Sequence, residues 1–329
     1  MRRLLASARR SRRKSESIDV PGTVEVPSPG RPPRSGRLGN QGRDAFFFLS
    51  PWLLGLSVLT MVPMGASLYL SFTDYDLLSS PEWVGFENFI RMFTSDPRYL
   101  TSVRVTFIYV ALTVPLKLMI ALAVALILRR TGRGSGVYRA LFYLPSLLGG
   151  SVAIAMLWRQ IFGINGVVNR FTGVFGFDPV SWISDPDVSL LVLVALAVWQ
   201  FGTPMVVFIA GLSQIPLDLY EAARVDGANR WRQFWHVTLP MLSPVILFNL
   251  IFQIIISFQS FTSAAIISGG RGGPADTTLL YTLYLYQRGF TTFDMGYASA
   301  MAWILLIIIA FFTALAFKFT SRFVYYEGE

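Results

Sequence analysis

SQIPLDLYEAARVDGANRWRQFWHVTLP, residues Ser213–Pro240, is a polar, charge-bearing stretch set between two long apolar blocks, and its reading governs that of the whole chain. Pro216 suits the first position of a short helix, and Asp218 favours the helix N-terminal end, where the backbone dipole is positive. Glu221, Ala222, Ala223 and Arg224 are good helix formers. Gly227 can take a left-handed conformation and stop the helix. A second short helix, about Asn229 to Val237, is expected before Leu239-Pro240 enters the next block. Two small helices joined at a glycine make a compact knob, and the small side chains of Ala222 and Ala223 let it fit a partner's groove. The bland alternative is a solvated helical hairpin that only connects its neighbours.

The blocks on either side, about 188–212 and 240–265, are each long enough to cross a bilayer's hydrocarbon core, roughly 20 residues at 1.5 Å rise. Four more lie at about 45–71, 101–128, 138–161 and 295–318. Composition agrees: 53% of the 329 residues are hydrophobic, 14% are charged and the mean hydropathy is +0.52. Soluble domains carry about 25% charged residues, so a soluble enzyme is excluded. Pro51 and Pro63 are tolerable in the first span, because neighbouring helices satisfy freed carbonyls. Pro145 with Gly149 and Gly150 interrupts the third. The fifth opens with Pro240 and Pro244, then carries Asn249, Gln253, Ser257, Gln259 and Ser260. Such interruptions suit a helix lining a cavity, although a proline kink with small-residue packing serves the third span equally well.

The net charge of +9 matters through its placement. Of 28 Lys and Arg, eleven lie in residues 1–43, and the loops near 129–139 and 213–239 and the C-terminal end bring that side to 20. The other side holds six: Arg91, Arg98, Arg159, Arg170, Arg271 and Arg288. By the positive-inside rule, both termini are expected in the cytoplasm of a bacterial cell whose plasma membrane the chain crosses repeatedly. The segment 1–43, rich in Arg, Ser, Pro and Gly, is expected to be a disordered basic tail attracting anionic lipid, with 44–329 as the membrane domain. Its opening could also pass for an organellar presequence. No apolar stretch of roughly 7–15 residues follows the early arginines, which argues against a secretory signal.

Absences narrow the chemistry. With no cysteine, disulfides, thiolate metal sites and thiol catalysis are excluded together. No Walker-type loop exists, since Lys14, Lys117 and Lys318 all lack a preceding glycine. No Asp or Glu lies inside a span, which argues against an ion-coupled carrier. His236 is the only histidine, so a histidine metal cluster or His-paired relay has almost nothing to work with.

The pattern E-A-A-x-x-D-G-A at 221–228, followed by Phe234, Leu239-Pro240 and Pro244, resembles the EAA motif of permease subunits of bacterial ABC importers. The resemblance extends over about residues 45–320. Phe72-Thr-Asp74-Tyr75 and Trp83-Val-Gly85-Phe-Glu-Asn88-Phe89 look like the segment after the first span in carbohydrate importers. Gly272-Gly273-Pro274 and Phe293-Asp294-Met-Gly296-Tyr297 look like their last outer loop and sixth span. The branch is similar to the maltose (MalF-type) and glycerol-phosphate (UgpA-type) permeases, and residues 1–43 lie outside it.

The resemblance implies an all-α polytopic membrane protein, six transmembrane helices with a cytoplasmic coupling helix, the type I importer permease fold. It implies that Glu221 pairs with an arginine of a cytoplasmic ATPase subunit, with Ala222, Ala223, Asp226 and Gly227 shaping the coupling helix. It also implies partners: a second, MalG-like permease, two ATP-binding subunits and an extracytoplasmic substrate-binding protein, with no nucleic acid. The chain itself would be no enzyme and hold no cofactor or metal, ATP and Mg being bound by the ATPase subunits. In the maltose-type relatives the span after the motif contributes sugar contacts, which here directs attention to Gln253, Ile256, Ser257, Phe258, Gln259 and Ser260. Trp199, Gln200 and Thr203 in the fourth span are further candidates. Amides and hydroxyls suit sugar hydroxyls and aromatics suit their apolar faces, while interhelical hydrogen bonding explains any one of them as well. Lys117 sits roughly 18 Å up the second span from Arg129, with no acid in the chain's own spans to pair with it. It faces either a partner's oxygen or the pathway. The expected cargo is a disaccharide such as trehalose or maltose, or an oligosaccharide. Glycerol phosphate or another polar solute is the alternative, ahead of an ion-coupled carrier or a membrane scaffold without transport.

Overall fold

The computed structural model describes residues 38–129 and 135–320. Among these, all regular structure is helical except one two-stranded hairpin. The chain divides into two units, Met1–Thr60 and Met61–Glu329. In the first, helix α1 (Leu38–Leu56) contains Pro51 and begins ahead of residue 43, the expected end of the disordered tail. Once the apolar run after Asp44 is helical, each preceding residue adds at little cost, which explains the extension. Residues 1–37 of that tail lie outside the described residues.

In the second unit, α2 (Val62–Leu70) leads to the hairpin of β1 (Thr73–Asp74) and β2 (Glu82–Trp83), paired antiparallel with Thr73 opposite Trp83. The short α3 (Glu87–Thr94) precedes α4 (Pro97–Arg129), the longest helix. Asp96 caps α4 by accepting from the Tyr99 amide at 3.1 Å, and Pro97 takes the first position, where a missing N–H costs nothing. Next come α5 (Ser135–Leu148), α6 (Val152–Ile161), α7 (Val167–Val174), α8 (Ser189–Trp199) and α9 (Gly202–Gln214). The motif loop holds α10 (Leu217–Val225), α11 (Arg230–Gln233) and α12 (Leu239–Met241). The chain continues through α13 (Ser243–Phe258), α14 (Thr262–Ile267), α15 (Tyr281–Tyr286) and α16 (Met295–Thr320).

Four stretches are long and apolar enough to cross a membrane: Phe46–Leu70, Pro97–Arg129, Ser243–Ile267 and Met295–Lys318. The third and fourth expected spans are not single helices. Gly136–Leu148 and Val152–Ile161 meet at 98°, and Ser189–Trp199 and Gly202–Gln214 at 41°, so six spans result when each bent pair counts as one. Pro145 lies inside α5; the break falls at Gly149-Gly150, and the Ser151 side chain then caps α6. The two breaks meet each other. Ser146 Oγ donates to the Gln200 carbonyl at 2.9 Å and accepts from the Thr203 amide at 3.0 Å. A Cβ on Gly202 would stand 2.6 Å from the Phe142 carbonyl oxygen and 2.7 Å from Tyr143 Cα.

Two apolar clusters form the core. One gathers Val105, Tyr109, Val114, Leu193, Phe258, Tyr281 and Met301; the other gathers Ala121, Ala125, Met205, Phe208, Leu212, Tyr220 and Leu242. Because α4 contributes 105–114 to the first and 121–128 to the second, while α13 contributes Phe258 and the Val245–Ile246 end respectively, the two helices run antiparallel. At the head of α16, Met295 and Gly296 amides both donate to the Tyr75 carbonyl, at 2.8 and 3.1 Å. A Cβ on Gly296 would lie 2.1 Å from the Thr73 carbonyl oxygen, so only glycine permits this approach.

Candidate coupling loop and translocation pathway

The motif loop is built by local backbone rules. Pro216 (φ −57°, ψ 138°) sits one residue ahead of the expected first position, as the extended cap of α10, with Asp218 in the first turn. The helix ends in a Schellman motif: Ala228 N donates to Ala223 O at 2.8 Å, Gly227 N donates to Arg224 O at 3.0 Å, and Gly227 has φ +74°. The E-A-A-x-x-D-G-A spacing is thus the spacing of one helix stop. Asn229 restarts the chain, its Oδ1 accepting from Arg232 N at 2.9 Å. The second helix differs from the expected Asn229–Val237 rod. After Gln233 it widens into a π-helical turn, Phe234–Thr238, before α12.

Contacts of Tyr220 with Arg129, at the end of α4, fix this knob to the bundle, and two further hydrogen bonds brace it internally. Tyr220 is buried; its hydroxyl accepts from Arg129 Nη1 at 3.0 Å and shares a 3.0 Å hydrogen bond with Thr238 Oγ1. The Arg129 guanidinium also lies 5.0 Å from the centre of the Tyr220 ring. Gln233 Nε2 donates to the Ala228 carbonyl at 2.9 Å. Glu221, Ala222, Asp226 and Gly227 are exposed and Ala223 is half-buried. The Glu221 side chain makes no hydrogen bond or ion pair among the described residues, and Trp231 and Trp235 stand exposed nearby in the chain. Tyr220, Arg129 and Thr238 were not among the expected site residues. An aromatic residue directly before the motif could have drawn notice to Tyr220, but nothing in the sequence marks Arg129 or Thr238 as its partners.

The pathway candidates do not share one face. Gln253, Ser257 and Phe258 are buried, whereas Ile256 and Gln259 are exposed. The helical period separates neighbours by about 100°, so a contiguous stretch of α13 cannot all face one side. Gln259 lines a cavity of about 630 Å³ along α16, between Ala302 and Phe317. Ser260 accepts from the Tyr109 hydroxyl at 3.3 Å. Trp199 packs against Trp158 with ring centres 5.8 Å apart, while Gln200 and Thr203 are tied to Ser146 at the break. Lys117 is buried, 8% exposed, and pairs with no acid among the described residues. The antiparallel run of α4 and α13, registered by Tyr109–Ser260 and Phe107–Phe258, puts it at about the depth of Asn249 and Gln253. Asn249 Nδ2 and Gln253 Oε1 are buried there without a hydrogen-bond partner among the described residues.

At the other end of α4, Asp96 organises a cluster whose parts are far apart in sequence. Its Oδ2 accepts from Tyr284 OH at 2.5 Å, Tyr297 OH at 2.7 Å and Arg288 Nη2 at 2.8 Å. Arg288 lies 5.1 and 5.2 Å from the centres of the Tyr284 and Tyr297 rings. Burial opposes ionisation of Asp96, but the hydrogen bonds from Tyr284, Tyr297 and the Tyr99 amide, with the Arg288 charge, hold its carboxyl below the usual range. Burial, with the hydrogen bond to Asp96, pushes the Tyr284 hydroxyl up to about 12. Arg91–Asp294 (3.1 Å) and Arg98–Asp276 (2.8 Å) flank the cluster.

The model of the family described as "Binding-protein-dependent transport system inner membrane component" matches residues 94–324. Among known sequences, a probable ABC transporter permease protein, YesP of Bacillus subtilis (strain 168), is 52% identical over 86% of this chain and 92% of its own. The lactose transport system permease protein LacF of Rhizobium radiobacter is 31% identical over 83% and 93%. The sn-glycerol-3-phosphate transport system permease protein UgpA of Agrobacterium fabrum is 31% identical over 85% and 96%. In fold, the chain is similar to a bacterial ABC transporter involved in the import of the acidic polysaccharide alginate, with a TM-score of 0.72 at 20% identity over 86% of this chain and 96% of that one.

Proposed function

The chain belongs to the family of binding-protein-dependent transport system inner membrane components, and on that premise we propose that it is the permease half of an importer that carries a sugar into the cell. The observation that carries this reading is the motif loop: an exposed carboxylate, Glu221, on a short helix clamped to the bundle through Tyr220 and Arg129. A helix clamped to the bundle transmits force; a loose hairpin does not. In this reading Glu221 pairs with an arginine of a cytoplasmic ATPase subunit, with Ala222, Ala223, Asp226 and Gly227 setting the shape of the contact. Both termini face the cytoplasm. A second permease, two ATP-binding subunits that hold ATP and Mg, and an external binding protein complete the assembly. Closure of the ATPase pair drags the knob inward, and the bundle rocks to alternate access.

The buried amides Asn249 and Gln253, with Ser257, supply donors and acceptors suited to sugar hydroxyls, and the aromatic rings of Trp199 and Phe258 suit apolar sugar faces. A disaccharide or oligosaccharide, trehalose- or maltose-like, fits that chemistry. The unpaired Lys117 favours a second reading, an anionic cargo such as glycerol phosphate. Uptake by the reconstituted complex decides between them. A Lys117→Gln chain that moves a neutral disaccharide at the wild-type rate removes the anionic cargo, and loss of uptake of glycerol phosphate alone would establish it.

A further inference from the structure

Beside α10 lies a cavity of about 800 Å³ lined by Arg129, Tyr220, Arg224, Asn229, Arg230 and Gln233, with no acidic residue on its wall among the described residues. Asp218, Glu221 and Asp226 of the same loop are not part of it. A second cavity, about 510 Å³, shares Arg129, Tyr220, Arg230 and Gln233 and adds Leu126, Trp231 and Phe234. Arg129 is held by the Tyr220 hydroxyl and ring, but the side chains of Arg224 and Arg230 have no hydrogen bond or ion pair among the described residues. Three guanidinium groups around one cavity repel one another unless an anion sits between them, and their planar forks match phosphate oxygens. The neighbouring wall changes character. Leu126 belongs to the span Pro97–Arg129, and Trp231 is 68% exposed, a side chain suited to headgroup depth. A basic pocket that opens onto an apolar, aromatic wall at the end of a span fits a molecule with a phosphate at one end and a hydrocarbon chain at the other.

We infer that this double cavity binds an anionic phospholipid, its phosphate held by Arg129, Arg224 and Arg230 and an acyl chain laid along Leu126, Trp231 and Phe234. The bound lipid fastens the knob to the membrane beside the carboxylate face, so that lipid charge tunes the loop's position. The inference requires only that the chain is in a bilayer, and stands apart from the cargo and from the ATPase contact.

The test uses the full chain with its partner subunits in nanodiscs of phosphatidylcholine containing phosphatidylglycerol, with retained lipid read by native mass spectrometry. Both leaflets are identical, so the result is independent of which way the chain faces. Wild type should retain phosphatidylglycerol over phosphatidylcholine. The pair Arg224→Gln and Arg230→Gln should lose roughly thirtyfold in that affinity, at about the value of two basic side chains near a charged surface. The pair Arg224→Lys and Arg230→Lys should keep most of it, and Trp231→Ala should weaken it with every arginine in place. Those last two variants also guard against a misfolded glutamine pair. Equal retention by wild type and the glutamine pair would overturn the proposal. So would inorganic phosphate binding as tightly as the lipid, or loss of the ATPase subunits from the glutamine pair with lipid retention unchanged.

Discussion

Gly227 and Tyr220 divide the work of the motif loop at the scale of single residues. Gly227 supplies a left-handed backbone (φ +74°) that lets Ala228 and Gly227 close the last turn of α10. No atom crowds the position, so an alanine there meets conformational strain alone. Gly227→Ala should therefore cost about 1–2 kcal/mol of local stability, read as faster hydrogen exchange at Asp226, Gly227 and Ala228 with little change elsewhere. Protection equal to wild type would show that the stop does not depend on glycine. This part of the site was legible in the sequence, because a helix stop is a local device and its glycine is a local signal. Tyr220 was not. Its role depends on Arg129, 91 residues away, and on Thr238 beyond a π-helical turn, and no local pattern encodes that meeting.

At the scale of elements, hydropathy gave the number of spans but not their form. The break in the third was visible at Gly149-Gly150. The fourth block is apolar throughout α8, and its break at Gln200 is set by the contact with Ser146 on α5. The two glycines at this crossing should respond differently to alanine. At Gly149 the obstacle is the Gln200 side chain, 2.2 Å from an added Cβ, which can swing aside. At Gly202 it is backbone, the Phe142 carbonyl oxygen and Tyr143 Cα, which cannot. Gly202→Ala should destabilise the purified chain by about 1–3 kcal/mol and Gly149→Ala by distinctly less, compared by thermal unfolding in detergent. Equal effects would mean that the two broken helices do not pack as described. Similarly, the candidates on α13 lay in one stretch of sequence but fall on different faces, since helical period rather than adjacency decides what shares a cavity.

At the scale of the whole molecule, long-range polar contacts mark the end of α4 opposite the motif loop. Asp96 gathers Tyr284, Tyr297 and Arg288, tying the start of α4 to α15 and α16. Its carboxyl is held below the ordinary value of 3.8, so its contribution to stability is present above that value and is lost as pH falls through the lower folded one. Asp96→Asn should cost about 3 kcal/mol at neutral pH by leaving Arg288 without its acidic partner, and should remove this group's share of acid sensitivity. Thermal unfolding at neutral and acid pH checks both, and an unchanged acid profile would contradict the assignment. None of these pairings could be read from the sequence, where Asp96 looks like an ordinary cap before proline. At the other end, Glu221 is proposed to pass the work of a partner ATPase to this bundle. The most direct measurement is ATP-driven uptake against ATP hydrolysis in proteoliposomes holding the whole complex, with Glu221→Ala beside Gly227→Pro and wild type. Both variants should insert normally, and hydrolysis should persist while uptake collapses. Uptake at the wild-type rate in both would contradict it.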